Sequence, residues 1–467
     1  MLSTAGMRWV AVAVLSVLLM FDAVQSFDQY YRTPLDGDLP GAVVPADDVK
    51  PVLSSPLGYS ALCSGKHYPN PNKHFAHRIC HLWFNSVPVA LQRWVAPIDS
   101  AYLACALAKM LMHVALVILM AVLVSGRMAF WRLDWLGAAA LMSPMLQSYG
   151  YISSMRIIDS ATTYAFFYAL PTIVLILYLL PFLMELLHGR RCPWWFCAVW
   201  LLWLPPTVFS GPLNPGIALV ICVMVAAMLL FLRQRPSSTM LILLVPLAVG
   251  SLYSLYLGTY NSLNDAPSLS LWERYAVMPE GLWFILTGKL AWPVLVAMLV
   301  LNAVLLRRFL PGELRAMRIR WVAVGLFSGL YLLLLPLGGY REYRPCVVRY
   351  DTIIPITLCM LYMYVWTTSR LLAALSRRQM GRWYLAPVAL MLFIYTNADC
   401  TRFTDNTGER EAIARIAGSS EPVVALDTDC CVAEWSPQSD PECSRLAVQM
   451  LRRWNILDDD KLYFHSQ

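Results

Sequence analysis

Phe27-Asp28-Gln29-Tyr30-Tyr31-Arg32-Thr33-Pro34-Leu35-Asp36-Gly37-Asp38 follows the first apolar run, Trp9 to Phe21, almost without a break. It opens the longest polar interval before the C-terminal tail, Phe27 to Ser100. That interval holds Asp36, Asp38, Asp47, Asp48 and Asp99, and four of the chain's seven histidines. Beyond it the sequence is dominated by apolar segments, at about 101–124, 135–150, 163–187, 194–210, 214–232, 239–258, 282–305, 320–338, 352–368 and 383–396. With the first run these make eleven. Only 14% of the 467 residues are charged and 58% are hydrophobic, whereas soluble domains carry about 25% charged residues. The expected fold is an all-α polytopic membrane protein of about 11 transmembrane helices, and soluble classes are excluded.

The loops orient this bundle. Alternate short loops carry fifteen arginines: Arg127, Arg132, Arg190, Arg191, Arg233, Arg235, Arg307, Arg308, Arg315, Arg318, Arg320, Arg370, Arg377, Arg378 and Arg382. The opposite short loops carry five: Arg156, Arg274, Arg341, Arg344 and Arg349. By the positive-inside rule the N-terminus is cytoplasmic, and 22–100 and 397–467 are extracytoplasmic. The net charge of +7 thus follows topology, and nucleic acid is rejected as a partner. Seventeen tryptophans and 23 tyrosines suit interfacial belts.

Residues 1–26 read as a first transmembrane helix or signal anchor; a secretory leader ending at Val24-Gln25-Ser26 is the alternative. Pro205-Pro206 and Pro212 to Pro215 leave room for a re-entrant hairpin. Within 27–100, Val43 to Leu53 and His74 to Trp94 are expected as helices lying in the interface. An oxidising outer compartment permits disulfides such as Cys63–Cys80. Residues 397–467 are expected to form a small α/β domain: helix at Gly408–Ala417, strand at Pro422–Leu426, helix at Ser444–Trp454, strand at Lys461–Phe464.

Four constellations bear chemistry. In Asp36-Gly37-Asp38, glycine permits a turn that aims both carboxylates at one point. Such a pair suits a divalent cation, the one cofactor the sequence invites, or a general base. A solvated turn after a helix uses the same residues. Asp22 and Asp28 read instead as helix-end and interfacial residues. Asp159 and Arg156 are spaced for a helical pair. Arg341, Arg344 and Arg349 lie in Gly339 to Pro355 against the positive-inside trend. They are placed to grip a phosphate, to anchor lipid headgroups, or to pair with Glu342 and Asp351. His74, His77 and His81 share helical spacing, a zinc-like pattern that a plain interfacial helix also explains. Lys109 and His113, one turn apart, are expected toward the bundle interior, unless Lys109 snorkels to the surface.

The layout resembles the GT-C superfamily of bacterial membrane glycosyltransferases. It rests on a first helix, a long acidic outer loop with interfacial helices, a second outer loop with an Asp, and Arg349-Tyr350 before Pro355, over about residues 1–400. The resemblance implies an inner-membrane enzyme that moves a sugar from a polyprenyl-phosphate carrier to a lipid, glycan or protein acceptor. It implies Asp38 or Asp36 as catalytic base or metal ligand, and Asp159 as a site-shaping acid. Arg349, Arg344, Tyr350 and Arg341 become the phosphate-binding group. The family's adjacent acidic pair is absent, Gly37 splitting the acids, and the gap before Pro355 is longer than in the family. The rival classes are a non-catalytic carrier-binding or transport protein and an O-antigen polymerase or ligase-like enzyme.

Overall fold

Hydrocarbon offers no partner to backbone amides, so a spanning chain must close its hydrogen bonds within each segment. The computed structural model describes residues 4–146, 155–265, 269–339, 345–375, 379–398, 405–426 and 431–466, and these fold almost wholly as helices. Helix α1 (Thr4–Tyr31) is followed by α2 (Leu39–Val43), α3 (Lys50–Ser54), α4 (Tyr59–Ser64) and α5 (His74–Leu91). Then come α6 (Pro97–Ser125) and α7 (Leu133–Met142), the latter ending in a 3-10 turn at Ser143–Met145. Next are α8 (Thr162–His188), α9 (Trp194–Val208), α10 (Asn214–Leu232) and α11 (Ser238–Gly258). The bundle continues with α12 (Leu271–Thr287), α13 (Ala291–Phe309), α14 (Pro311–Gly338), α15 (Ile354–Leu375) and α16 (Gln379–Ala398).

Eight of these helices are long and apolar enough to cross a membrane: α1, α6, α8, α10, α11, α13, α14 and α15. Helix α9 and the stretch Trp383–Thr396 of α16 are shorter apolar helices. Outside its tail, the described chain is all-α, with helices suited to a membrane-embedded protein.

Three expectations change. Helix α1 does not stop at Ser26 but runs to Tyr31, so the loop opens near Arg32. Val43 to Leu53 is not one helix: Pro45 holds Val44 out of the α region, at φ −118° and ψ 77°, and α2 and α3 form on either side. The apolar segment 282–305 is divided between α12 and α13, with the break at Gly288 to Leu290. Helix α12 starts earlier because Ser270 and Glu273 form a capping box.

The tail contains α17 (Thr407–Gly418), β1 (Val423–Leu426), α18 (Arg445–Arg453) and β2 (Leu462–His465). β1 and β2 pair in parallel, Val423 opposite Leu462 and Leu426 opposite His465. The tail packs on α2, α5 and the adjoining ends of α1 and α6. Trp454 is fully buried and donates its indole N–H to the Phe84 carbonyl at 2.7 Å. Arg453 reaches the Val43 carbonyl at 3.2 Å and Asn85 Oδ1 at 2.9 Å. The Arg410 guanidinium lies over the rings of Tyr31 (4.7 Å) and Tyr102 (4.0 Å) and pairs with Asp99. A cleft of about 450 Å³ at Asp99, Arg410 and Asn455 marks this junction.

Candidate active site

The segment from Met155 to Tyr164 gathers Asp36, Lys109, Arg349 and Tyr350 around Asp159. It enters α8 through Thr162 and Thr163, and a π-helical turn follows at Ala165–Ala169, a local feature frequent at functional sites. Thr163 holds Asp36: its N–H reaches Asp36 Oδ2 at 3.1 Å and its hydroxyl reaches Oδ1 at 2.6 Å. Asp36 Oδ1 also accepts the Asp38 N–H at 3.3 Å. Burial raises the Asp36 carboxyl above its ordinary value, and the Thr163 bonds offset only part of that. Asp159 is likewise buried and raised, Arg156 opposing the effect. It accepts the Ala161 N–H at 2.9 Å.

Asp36 and Asp38 do not converge. Asp36 faces the interior, while Asp38 is exposed and accepts the Trp435 indole N–H at 3.1 Å. With both Asp36 oxygens committed to Thr163 and Asp38 directed to the tail, the pair does not fit a shared cation. Gly37 serves another purpose. A Cβ there would lie 2.6 Å from Trp435 Cδ1 and 2.7 Å from the Trp435 backbone nitrogen. We expect Gly37→Ala to displace Trp435, costing about 1–3 kcal/mol as overpacking does. A red shift in tryptophan emission and faster proteolysis after residue 430 would register it; unchanged emission would contradict it.

A row of side chains runs from Asp38 across this surface. The Trp435 and Tyr164 rings are 5.7 Å apart. The Arg349 guanidinium lies 5.0 Å from the Tyr164 centroid and pairs with Asp351 at 2.8 Å. Asp351 is 2% exposed and Arg349 27%, so the arginine keeps an accessible edge. Tyr350 is buried under Arg156, 5.3 Å from its centroid. Arg156 has a left-handed backbone, φ 47°, in a non-helical segment; the helical spacing read for Arg156 and Asp159 does not apply. Arg341 and Arg344 lie outside the described residues.

Behind the row sits Lys109. It does not snorkel: it is 0% exposed and donates to the Ser160 carbonyl at 2.5 Å. Its charge acts on both Asp36 and Asp159. The histidines of α5 disperse. His74 Nδ1 meets the Val52 carbonyl at 2.7 Å, His81 Nδ1 meets that of Ala42 at 3.0 Å, and His77 lies against Phe167. Burial lowers His77 to about 3, and among the described residues no cluster suits a metal. Cys63 and Cys80 are separate thiols, one exposed and one buried. Thr163, Tyr164 and Trp435 carry no motif; only the proximity of Thr162-Thr163-Tyr164 to Asp159 marked that segment.

Comparison with known proteins finds no matching family model, no matching curated protein and no matching solved structure.

Proposed function

We propose that the protein is a membrane glycosyltransferase of the GT-C kind, taking a sugar from a polyprenyl-phosphate carrier at the extracytoplasmic face of a bacterial inner membrane. One observation carries this reading: an exposed carboxylate, Asp38, and an accessible arginine, Arg349, flank the Trp435–Tyr164 pair. Glycosyl transfer needs two charges so placed. Asp38 takes the proton of the acceptor hydroxyl as that oxygen bonds to the anomeric carbon. The bond from that carbon to the carrier phosphate breaks, its electron pair stays on the phosphate, and Arg349 stabilises the growing charge. The aromatic rings offer a sugar an apolar face. Asp36 positions Asp38 by accepting its N–H and by holding Thr163, while Asp159 and Lys109 brace the segment behind. In this reading eleven segments span the bilayer, with the tail outside.

The test is transfer of labelled sugar from a polyprenyl-phosphate donor in membranes. Arg349→Lys keeps the charge and loses the planar fork. We expect transfer to fall by about 10²-fold, within what one oxyanion-stabilising donor contributes, with folding unchanged. Full activity would mean that Arg349 only anchors headgroups.

A further inference from the structure

Asp22 was expected at a helix end. It lies instead nine residues inside α1, about 13 Å below the Tyr31 end at 1.5 Å per residue. The outward face of α1 is apolar, with Val17, Leu18, Phe21 and Val24 all exposed. Its inward face is polar: Asp22, Gln25, Ser26 and Gln29 fall at helical spacing and turn into the bundle. Asp22 is 4% exposed, and its Oδ1 is buried without a hydrogen-bond partner. The Ser26 hydroxyl is in the same condition. Leaving such atoms unmatched is costly, and an ionisable group at such depth points to function.

A hydrogen-bonded series runs from Asp22 to Tyr30. The Ser143 hydroxyl donates to Asp22 Oδ2. His113 Nε2 is 2.9 Å from that hydroxyl, and His113 Nδ1 is 3.0 Å from the Tyr30 hydroxyl. Serine has one proton to give, and here it goes to Asp22. The His113–Ser143 bond therefore uses the proton on Nε2, leaving Nδ1 to accept from Tyr30. Every donor points the same way, from Tyr30 to Asp22. Tyr30, His113 and Ser143 are all buried. The Tyr30 ring lies 5.8 Å from Lys109 Nζ, and Lys109 reaches the segment that holds Asp36 and Asp159.

The surrounding charges are few. Helix α6 presents His113 and, one turn nearer the site, Lys109. The charged residue of α7, Asp134, is at the helix start with Arg127 and Arg132. From α16 the Thr396 carbonyl takes the Gln25 amide.

We propose that Asp22 is a proton-binding site inside the bundle, filled from the Asp36–Asp159 end through Tyr30, His113 and Ser143. A proton arriving at the Tyr30 oxygen releases the hydroxyl proton to His113 Nδ1. His113 passes its Nε2 proton to Ser143, and Ser143 passes its own to Asp22. The series is then one proton richer, all of it on Asp22, with its donors reversed. This does not depend on the glycosyltransferase reading, since it needs no substrate.

The test is infrared titration of the full-length protein in lipid nanodiscs. Acidification should produce a carboxylic acid C=O band of low-polarity surroundings, shifted in D2O and absent in Asp22→Asn. Ser143→Ala should leave the band but slow its appearance after a pH jump by about 10²-fold, the low end of what a positioned proton donor contributes. Ser143→Thr should restore the rate. An unchanged band in Asp22→Asn, or wild-type kinetics in Ser143→Ala, would overturn the proposal. So would a band that follows sodium at fixed pH, which would make Asp22 a cation ligand. If Asp22→Asn fails to fold, the two Ser143 variants decide.

Discussion

Under the proposed function, Asp38→Asn should lower glycosyl transfer by about 10²–10⁴-fold, the usual contribution of a general base, with the protein still folded and carrier binding retained. Asparagine keeps the shape of aspartate and its amide oxygen still accepts the Trp435 N–H, so the local structure survives. What is lost is the proton acceptor. Asp36→Asn should behave differently. Asp36 accepts two bonds from Thr163 and is 5% exposed, so an amide there sets a donor against a donor. Breaking such a buried network costs about 1–3 kcal/mol, and a lower melting temperature should accompany any loss of activity. The discriminating quantity is activity per folded molecule. Normal transfer in Asp38→Asn, Asp36→Asn and the double variant together would refute the catalytic reading and favour a carrier-binding protein.

Glu409→Ala should release the tail from the bundle. Glu409 is 2% exposed. Its Oε2 accepts the Leu35 N–H and the Tyr102 hydroxyl, both at 2.9 Å, and its Oε1 accepts the Ala433 N–H at 3.0 Å. Alanine strands three buried donors at about 1–3 kcal/mol each, so a loss of roughly 3 kcal/mol or more is expected. Hydrogen exchange over 405–466 would read it; unchanged protection would contradict it. The seating should also depend on pH. Burial raises the Glu409 carboxyl from 4.5 to about 7, and its three donors offset only part of that. The folded state therefore holds a proton that the unfolded chain has lost. The contribution is fully present below pH 4.5, declines as pH rises to about 7, and is gone above it. A shift of that size corresponds to about 3 kcal/mol. Glu409→Gln should abolish the dependence in that window.

The helices were legible because lipid demands long apolar runs, and these survive in composition whatever the neighbours do. Boundaries were less so. Helix α1 outlasts its apolar run because Gln29 and Tyr30 turn inward, a fact of packing that no window of hydrophobicity contains. The split at Gly288 was foreshadowed by Ser270 and Glu273, a capping pair hidden beside a long apolar stretch. The tail's alternation of helix and strand was readable from its periodicity. In the candidate site, Asp38, Asp36, Asp159 and Arg349 stood out as candidates because charged residues are scarce in such a chain. Their partners could not. Thr163, Tyr164 and Trp435 are ordinary residues, and Trp435 meets Asp38 across 397 positions of sequence. Asp36-Gly37-Asp38 looked like a converging pair because spacing says nothing of what each carboxylate finds to bind.

The contact of Gly37 with Trp435 has a consequence for biosynthesis. The carboxylate of Asp38 leaves the ribosome early, but the indole that completes its surroundings is made only after every helix of the bundle. Until then the row from Asp38 to Arg349 lacks the Trp435 ring that joins Asp38 to Tyr164. Competence would therefore arrive in a single late step. Under the proposed function, a chain stalled or clipped before residue 435 would lack the indole beside Asp38 and would not transfer sugar.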